Sequence, residues 1–134
     1  MLIQFSVENH RSIKENAVIS FAASKDKSLE ACLLHPDEKR TLLPVIALYG
    51  ANAAGKSNVL HALLTVQNMV CGSASKVTKG QKLPWEPFAG NGKPTSFEVM
   101  YIYNSIRYVY GFSFDAKRIY SEYLYHWPNG REAL

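Results

Sequence analysis

The sequence predicts a mixed α/β fold, with a strand–loop–helix unit in mid-chain and antiparallel strands on either side of it. Three observations carry this. A continuously apolar run, PVIALY (Pro44–Tyr49), breaks into a stretch rich in glycine and alanine, GANAAGKSN (Gly50–Asn58). Apolar residues at helical spacing follow directly in KSNVLHALLTVQNMV (Lys56–Val70). The later segments SFEVMYIY, IRYVYGFSFD and RIYSEYLYHW alternate apolar and polar residues, as half-buried strands do.

Taken in order, LIQFSVEN (Leu2–Asn9) alternates and predicts a strand, NHRSIKEN is a polar turn, and AVISFAA (Ala17–Ala23) is a short strand paired back on the first. Residues 1–23 are thus an antiparallel pair. Residues 24–41 are charged and aperiodic, and predict a surface loop with room for one helical turn. PVIALY is continuously apolar, which predicts a strand covered on both faces. In the helix, Val59, Leu63, Val66 and Val70 form one stripe, widened by Leu60, Ala62 and Leu64. His61, Thr65 and Asn68 form a solvated polar stripe, and Gly72 ends the helix, so the unit spans 44–71. Residues 72–95 are rich in Gly, Ser, Lys and Pro, and a connection this long is usually functional or mobile. Within it, Trp85 and Phe88 either pin the loop to the core or pack over an adenine; packing is the usual work of a buried aromatic. Residues 96–127 read as an antiparallel β-meander with hairpin-short links at Asn104–Ser105 and Ala116–Lys117. Pro128–Gly130 begins another turn.

A length of 134 residues allows one domain or a large piece of one. A net charge of +4 is compatible with nucleotide or nucleic-acid partners without demanding either. No apolar run approaches the ~18 residues of a membrane span, and the N-terminus lacks the pattern of a signal peptide. Cys32 and Cys71 form no CxxC, and the histidines (His10, His35, His61, His126) are scattered. The expectation is a reduced, cytoplasmic chain with no membrane association and no His/Cys metal site.

The chemistry concentrates at Gly50. Gly50-x-x-x-x-Gly55-Lys56-Ser57 satisfies the phosphate-loop pattern. A triphosphate packs several negative charges into a small volume, and binding it needs many donors converging there. Backbone N–H groups of a tight loop can line that volume where side chains would crowd it. Glycine permits the close approach, and the helix start adds unpaired N–H groups and its positive dipole end. Lys56 can reach the β- and γ-phosphates, and the Ser57 hydroxyl can ligate Mg²⁺. The candidate ATP-binding residues are therefore Gly50, Ala51, Asn52, Ala53, Ala54, Gly55, Lys56, Ser57 and Asn58, with ATP and Mg²⁺ as cofactors.

That loop resembles the phosphate loop of ABC-type ATPases of the SMC, RecF and OLD-like group. More broadly, MLIQFSVENHRSIKEN, PVIALYGANAAGKSNVLHAL and the ordered tail segments PWEPF, TSFEV, IRYVYGFSFD and IYSEYLYHWPNGRE resemble the N-terminal part of bacterial AAA-family ATPases related to abortive-infection and phage-defence proteins. The resemblance implies a P-loop NTPase fold of ABC type. It further implies an N-terminal lobe whose remaining sheet lies downstream, and a homodimer in the full-length protein. It also places Arg11 and Lys14 near the triphosphate; read from the residues alone they are a solvated basic turn. His10 stands where such proteins usually have Phe or Tyr, and Ala54 where Ser is common.

Hydrolysis needs a carboxylate for Mg²⁺ and a group to orient water. In ABC-type ATPases these come from a late hydrophobic strand ending in Asp-Glu, and a signature segment from a second subunit closes the site. Neither pattern is found here: GFSFD ends at Asp115, a hairpin residue, and Gly72–Ser75 is loop text. The expectation is a nucleotide-gripping portion of a larger ATPase that does not turn over alone. An alternative is a nucleotide sensor or interaction module. In that reading Tyr101, Tyr103, Tyr108, Tyr110, Tyr120, Tyr123, Tyr125 and Trp127, with Arg107, Lys117 and Arg118, stack DNA or RNA bases. A buried row of rings, including Phe112 and Phe114, explains the same alternation. A small-molecule kinase is weaker, because such enzymes usually begin with the phosphate loop.

Overall fold

The computed structural model describes residues 1–26, 28–76 and 80–128, the side chains of 73–76 excepted. Among them the elements run β1 (Leu2–Glu8), β2 (Ala17–Ser20), β3 (Leu34–Asp37), β4 (Arg40–Leu42), α1 (Lys56–Lys76), β5 (Thr95–Tyr103), β6 (Ile106–Phe114) and β7 (Ile119–Trp127). Five strands make one sheet in the order β2-β1-β5-β6-β7, every pairing antiparallel. The first strand therefore lies inside the sheet, between its own hairpin partner and the meander.

Alternation along the strands divides the two faces. On one face Phe5, Val7, Phe97, Phe112 and Phe114 are buried beneath Ala62 and Val66 of α1. Phe97 is central, with ring centroids 5.6 Å from Phe112 and 5.9 Å from Phe114. On the other face the β3–β4 hairpin lays Leu42 against Ile3 and Ile102. That face also carries the row Glu98–Gly111–Tyr123. The Tyr123 ring lies where a Cβ at Gly111 would overlap it, and its phenol donates to Glu98 Oε2 at 2.6 Å. Burial, with the bond to Glu98, pushes the Tyr123 phenol up to about 12. Asn104 and Ser105 have φ of 48° and 61°, the doubly positive backbone of a type I′ hairpin turn.

Several expectations need correction. PVIALY is not a strand: residues 45–49 carry no strand assignment, and Val45 and Tyr49 are 74% and 93% exposed. Its apolar pattern fits a doubly covered strand, yet no described strand lies alongside to pair with it. α1 does not stop at Gly72 but continues to Lys76, so the connection after it is shorter than 72–95 and ends where Thr95 opens β5. Gly72 is buried inside the helix. The buried stripe of α1 is Ala62 and Val66 with Leu63 and Met69 packed beside them, whereas Leu60, Leu64 and Val70 face outward. Residues 24–41 hold a 3₁₀ turn (Glu30–Cys32), β3 and the start of β4. β2 stops at Ser20, with Ala22 making only an isolated bridge to Leu42. The meander and both of its short links match the alternation. The turn expected at Pro128–Gly130 extends beyond the described residues.

Candidate functional site

Two turns meet at the start of α1. The first is the glycine loop. Ala53 and Gly55 have φ of 64° and 89°, and backbone of this kind curls a chain so that successive N–H groups converge. Between Gly50 and Gly55 the loop uses one of its amides internally, Ala54 N–H donating to the Ala51 carbonyl at 3.2 Å. Asn58 and Val59 N–H both donate to the Gly55 carbonyl, at 2.9 and 3.3 Å. The amides of Lys56 and Ser57 stand at the helix start with no turn behind them. Lys56 arches back over the loop, its Nζ donating to the carbonyls of Gly50 and Ala51 at 2.7 Å each. Ser57 is exposed on the first turn of α1, and Gly50 through Ala54 are exposed.

The second turn follows β1. Asn9 and Arg11 both have positive φ, 53° and 51°, and His10 and Ile13 exchange backbone hydrogen bonds of 2.8 Å. Asn is suited to such a position, since its short polar side chain tolerates left-handed backbone and bonds nearby chain. Asn9 is 5% exposed and works as a hub. Its Nδ2 donates to the Lys93 and Pro94 carbonyls at 2.7 and 3.1 Å, and its Oδ1 accepts from Phe88 N–H and Asn91 Nδ2 at 3.2 and 2.7 Å. The Thr95 hydroxyl donates to the Asn9 carbonyl at 2.6 Å. Residues 85–95 are thereby fastened to the turn.

Ser12 joins the two turns. Its hydroxyl accepts from Asn58 Nδ2 at 2.7 Å. Gly55 is favoured by its backbone angle, and a Cβ added there would lie 3.0 Å from the same oxygen, a tight contact. Arg11 points to Glu86: its Nε is ion-paired with Glu86 Oε2 and its backbone N–H donates to the Glu86 carbonyl at 2.8 Å. The bond from Arg11 holds the Glu86 carboxyl below its ordinary range. Lys14 is exposed, and its carbonyl accepts from Asn9 N–H at 3.3 Å. His10 is fully buried, edge-on to Phe97 at 5.4 Å, with neither ring nitrogen hydrogen-bonded. Burial, reinforced by the neighbouring Arg11 charge, holds its pKa below the usual histidine value. The imidazole is used here as an aromatic wedge.

The candidate loop residues are thus contiguous at the head of α1, and the Arg11 turn reaches them through Ser12. Trp85 packs against the core and its Nε1 donates to the Lys93 carbonyl at 3.2 Å, which makes it a pin. Asp115 is the hairpin residue expected, its Oδ1 accepting from Lys117 and Arg118 N–H at 2.7 and 2.9 Å. The Asp-Glu pair of the chain, Asp37–Glu38, closes the β3–β4 hairpin, with Asp37 ion-paired to Arg40. Among the described residues no group of three or more His, Cys, Asp or Glu is arranged to hold a metal ion. No helix among them is long and apolar enough to cross a membrane. Sequence reasoning missed Asn9, Ser12 and Glu86 as parts of the site. An Asn at a strand end hinted at the first, and the other two gave no local signal.

No curated protein matches the chain. Residues 45–134 match the family described as "AAA domain, putative AbiEii toxin, Type IV TA system". With the glycine loop seated at the head of a helix inside that match, the chain belongs to this AAA-type ATPase family related to abortive-infection systems.

Proposed function

We propose that the chain is the ATP–Mg²⁺-gripping portion of a larger ATPase domain, working in a defence or DNA-related setting. The observation that carries this is Lys56. Its ammonium is bonded to the Gly50 and Ala51 carbonyls, above a loop whose amides are largely unspent. Phosphate oxygens offer that ammonium a stronger, charge-assisted partner than two carbonyls do. The loop amides and the helix start would hold the β- and γ-phosphates, and the Ser57 hydroxyl would ligate Mg²⁺. Bound Mg²⁺ neutralises charge on the β- and γ-oxygens. Arg11 and Lys14 supply further positive charge from the neighbouring turn.

The exposed apolar run at 45–49 and the outward row Leu60, Leu64 and Val70 suit surfaces that further parts of an ATPase domain cover. Among the described residues no late hydrophobic strand ends in Asp-Glu; the carboxylate for Mg²⁺ and the group that orients water would come from elsewhere in a homodimeric, cytoplasmic parent. Part of the aromatic set is engaged within the sheet. Tyr101, Tyr108 and His126 stack on one another, at 5.2 and 6.0 Å, and Arg107 lies over Trp127 at 3.8 Å. These rings are already used.

The test is calorimetry with ATP and Mg²⁺. Weak binding is expected in the wild type. Lys56→Ala should remove it, since charge-assisted bonds are worth about 1.5–3 kcal/mol. Equal affinity in the two proteins would remove the assignment. No appreciable phosphate release is expected from the isolated chain; steady release that Lys56→Ala abolishes would show that the chain is catalytically complete.

A further inference from the structure

We propose that Glu86 is a positioning residue for the nucleotide site: it holds the Arg11 guanidinium in reserve and competes for it with the bound phosphates. This rests on the nucleotide reading of the glycine loop.

Two cations on this seam are occupied. Lys56 is held by loop carbonyls, and Arg11 by the Glu86 carboxylate. The two are not equivalent. Carbonyl oxygens are neutral, so moving Lys56 onto phosphate leaves no charge behind. Moving Arg11 breaks an ion pair and leaves the Glu86 carboxylate without its cation, a cost that Lys56 does not carry. Arg11 directly precedes Ser12, whose hydroxyl is the contact to Asn58 and the Gly55 approach. A guanidinium anchored one residue from that contact is within the reach of a flexible side chain.

The backbone makes the arrangement fixed at one end and adjustable at the other. The Arg11 N–H to Glu86 carbonyl bond and the Asn9 hub lock residues 86–94 against the turn whether or not the side chains pair. The ion pair itself is open to solvent, with the Arg11 and Glu86 side chains 32% and 53% exposed. An exposed pair is weak and exchangeable. Phosphate pairs bidentately with arginine as a carboxylate does and carries more charge, so it competes for the same guanidinium. Glu86 thus sets a threshold: it keeps Arg11 aligned while the site is empty and reduces affinity by the worth of the pair that must be broken.

The experiment is ATP–Mg²⁺ calorimetry on the 134-residue chain, with wild type, Glu86→Gln, Arg11→Ala and the double variant. Glu86→Gln keeps the side-chain shape and should bind about two- to fivefold more tightly, the range of one exposed ion pair. Arg11→Ala should bind more weakly than wild type. The double variant should match Arg11→Ala, because Glu86 acts only through Arg11. A Glu86→Gln affinity equal to or below wild type, in a folded protein, overturns the proposal, as does tightening that persists without Arg11. Should Glu86→Gln fail to fold, the wild type decides. The Arg11 Nε–H resonance, identified by its loss in Arg11→Ala, should shift on adding ATP and should stay still in Lys56→Ala. A resonance unmoved while the wild type binds ATP overturns the role of Glu86 alone. Absence of ATP binding to wild type overturns the nucleotide reading and this inference with it.

Discussion

His10 is buried against Phe97 with both ring nitrogens unbonded, and Arg11, Glu86 and His61 are the charged or titratable groups around it. A buried polar atom without a partner costs about 1–3 kcal/mol. The folded chain also holds the His10 proton less tightly than the unfolded chain does. Below the unfolded histidine pKa of about 6.5, the unfolded state takes up a proton that the folded state refuses. Stability is therefore full above neutrality and falls as pH drops through 6.5 toward the lowered folded value. His10→Phe should raise stability by about 1 kcal/mol and flatten that fall, as read from urea midpoints between pH 5 and about 7.5. At this scale Gly50, Gly55, Lys56 and Ser57 stand out in the sequence because the phosphate-loop pattern is a spacing along the chain. Asn9 and Glu86 were not, because their partners lie more than seventy positions away along the sequence.

At the scale of elements, the meander was legible from alternation, and its stability can be tested at two positions. Ser105 carries φ of 61° in the Asn104–Ser105 turn. Ser105→Gly gives the Asn-Gly pair this turn favours and should stabilise the chain by about 1 kcal/mol, seen as a higher Tm. Gly111 has the opposite constraint, since Tyr123 crosses the strand where a side chain would stand. Gly111→Ala should expel the ring, cost about 1–3 kcal/mol, and return the Tyr123 phenol from about 12 toward its ordinary value in an ultraviolet titration. Residues 44–49 were misread for a physical reason. An apolar run states that a segment prefers cover, and only strands beside it decide whether it becomes one. α1 outran its expected end because the cost of a mid-helix glycine, about 1 kcal/mol, is small beside the packing of a whole helix.

For the whole molecule, the sheet order could not be read from the sequence, since placing β1 beside β5 is a long-range pairing that leaves no local mark. The exposed apolar residues are a whole-molecule property too. Val45, Leu48 and Tyr49 on one segment and Leu60, Leu64 and Val70 on α1 are each at least 44% exposed, and such apolar surface favours association. The chain should self-associate as concentration rises. Leu60→Glu combined with Leu64→Lys, which adds a favourable one-turn pair on the helix, should shift sedimentation toward monomer without lowering Tm. Unchanged sedimentation would place the contact elsewhere.

The interior position of β1 has a consequence for assembly. The amino-terminal hairpin is made first but keeps one open rim until β5 arrives, and the whole glycine loop and its helix lie on the intervening span. Closing so long a span is slow. The seam from Ser12 to Asn58 can be drawn shut only as that rim is zipped, so a nascent or damaged chain lacking the meander would carry the glycine loop without the Ser12 turn closed against it.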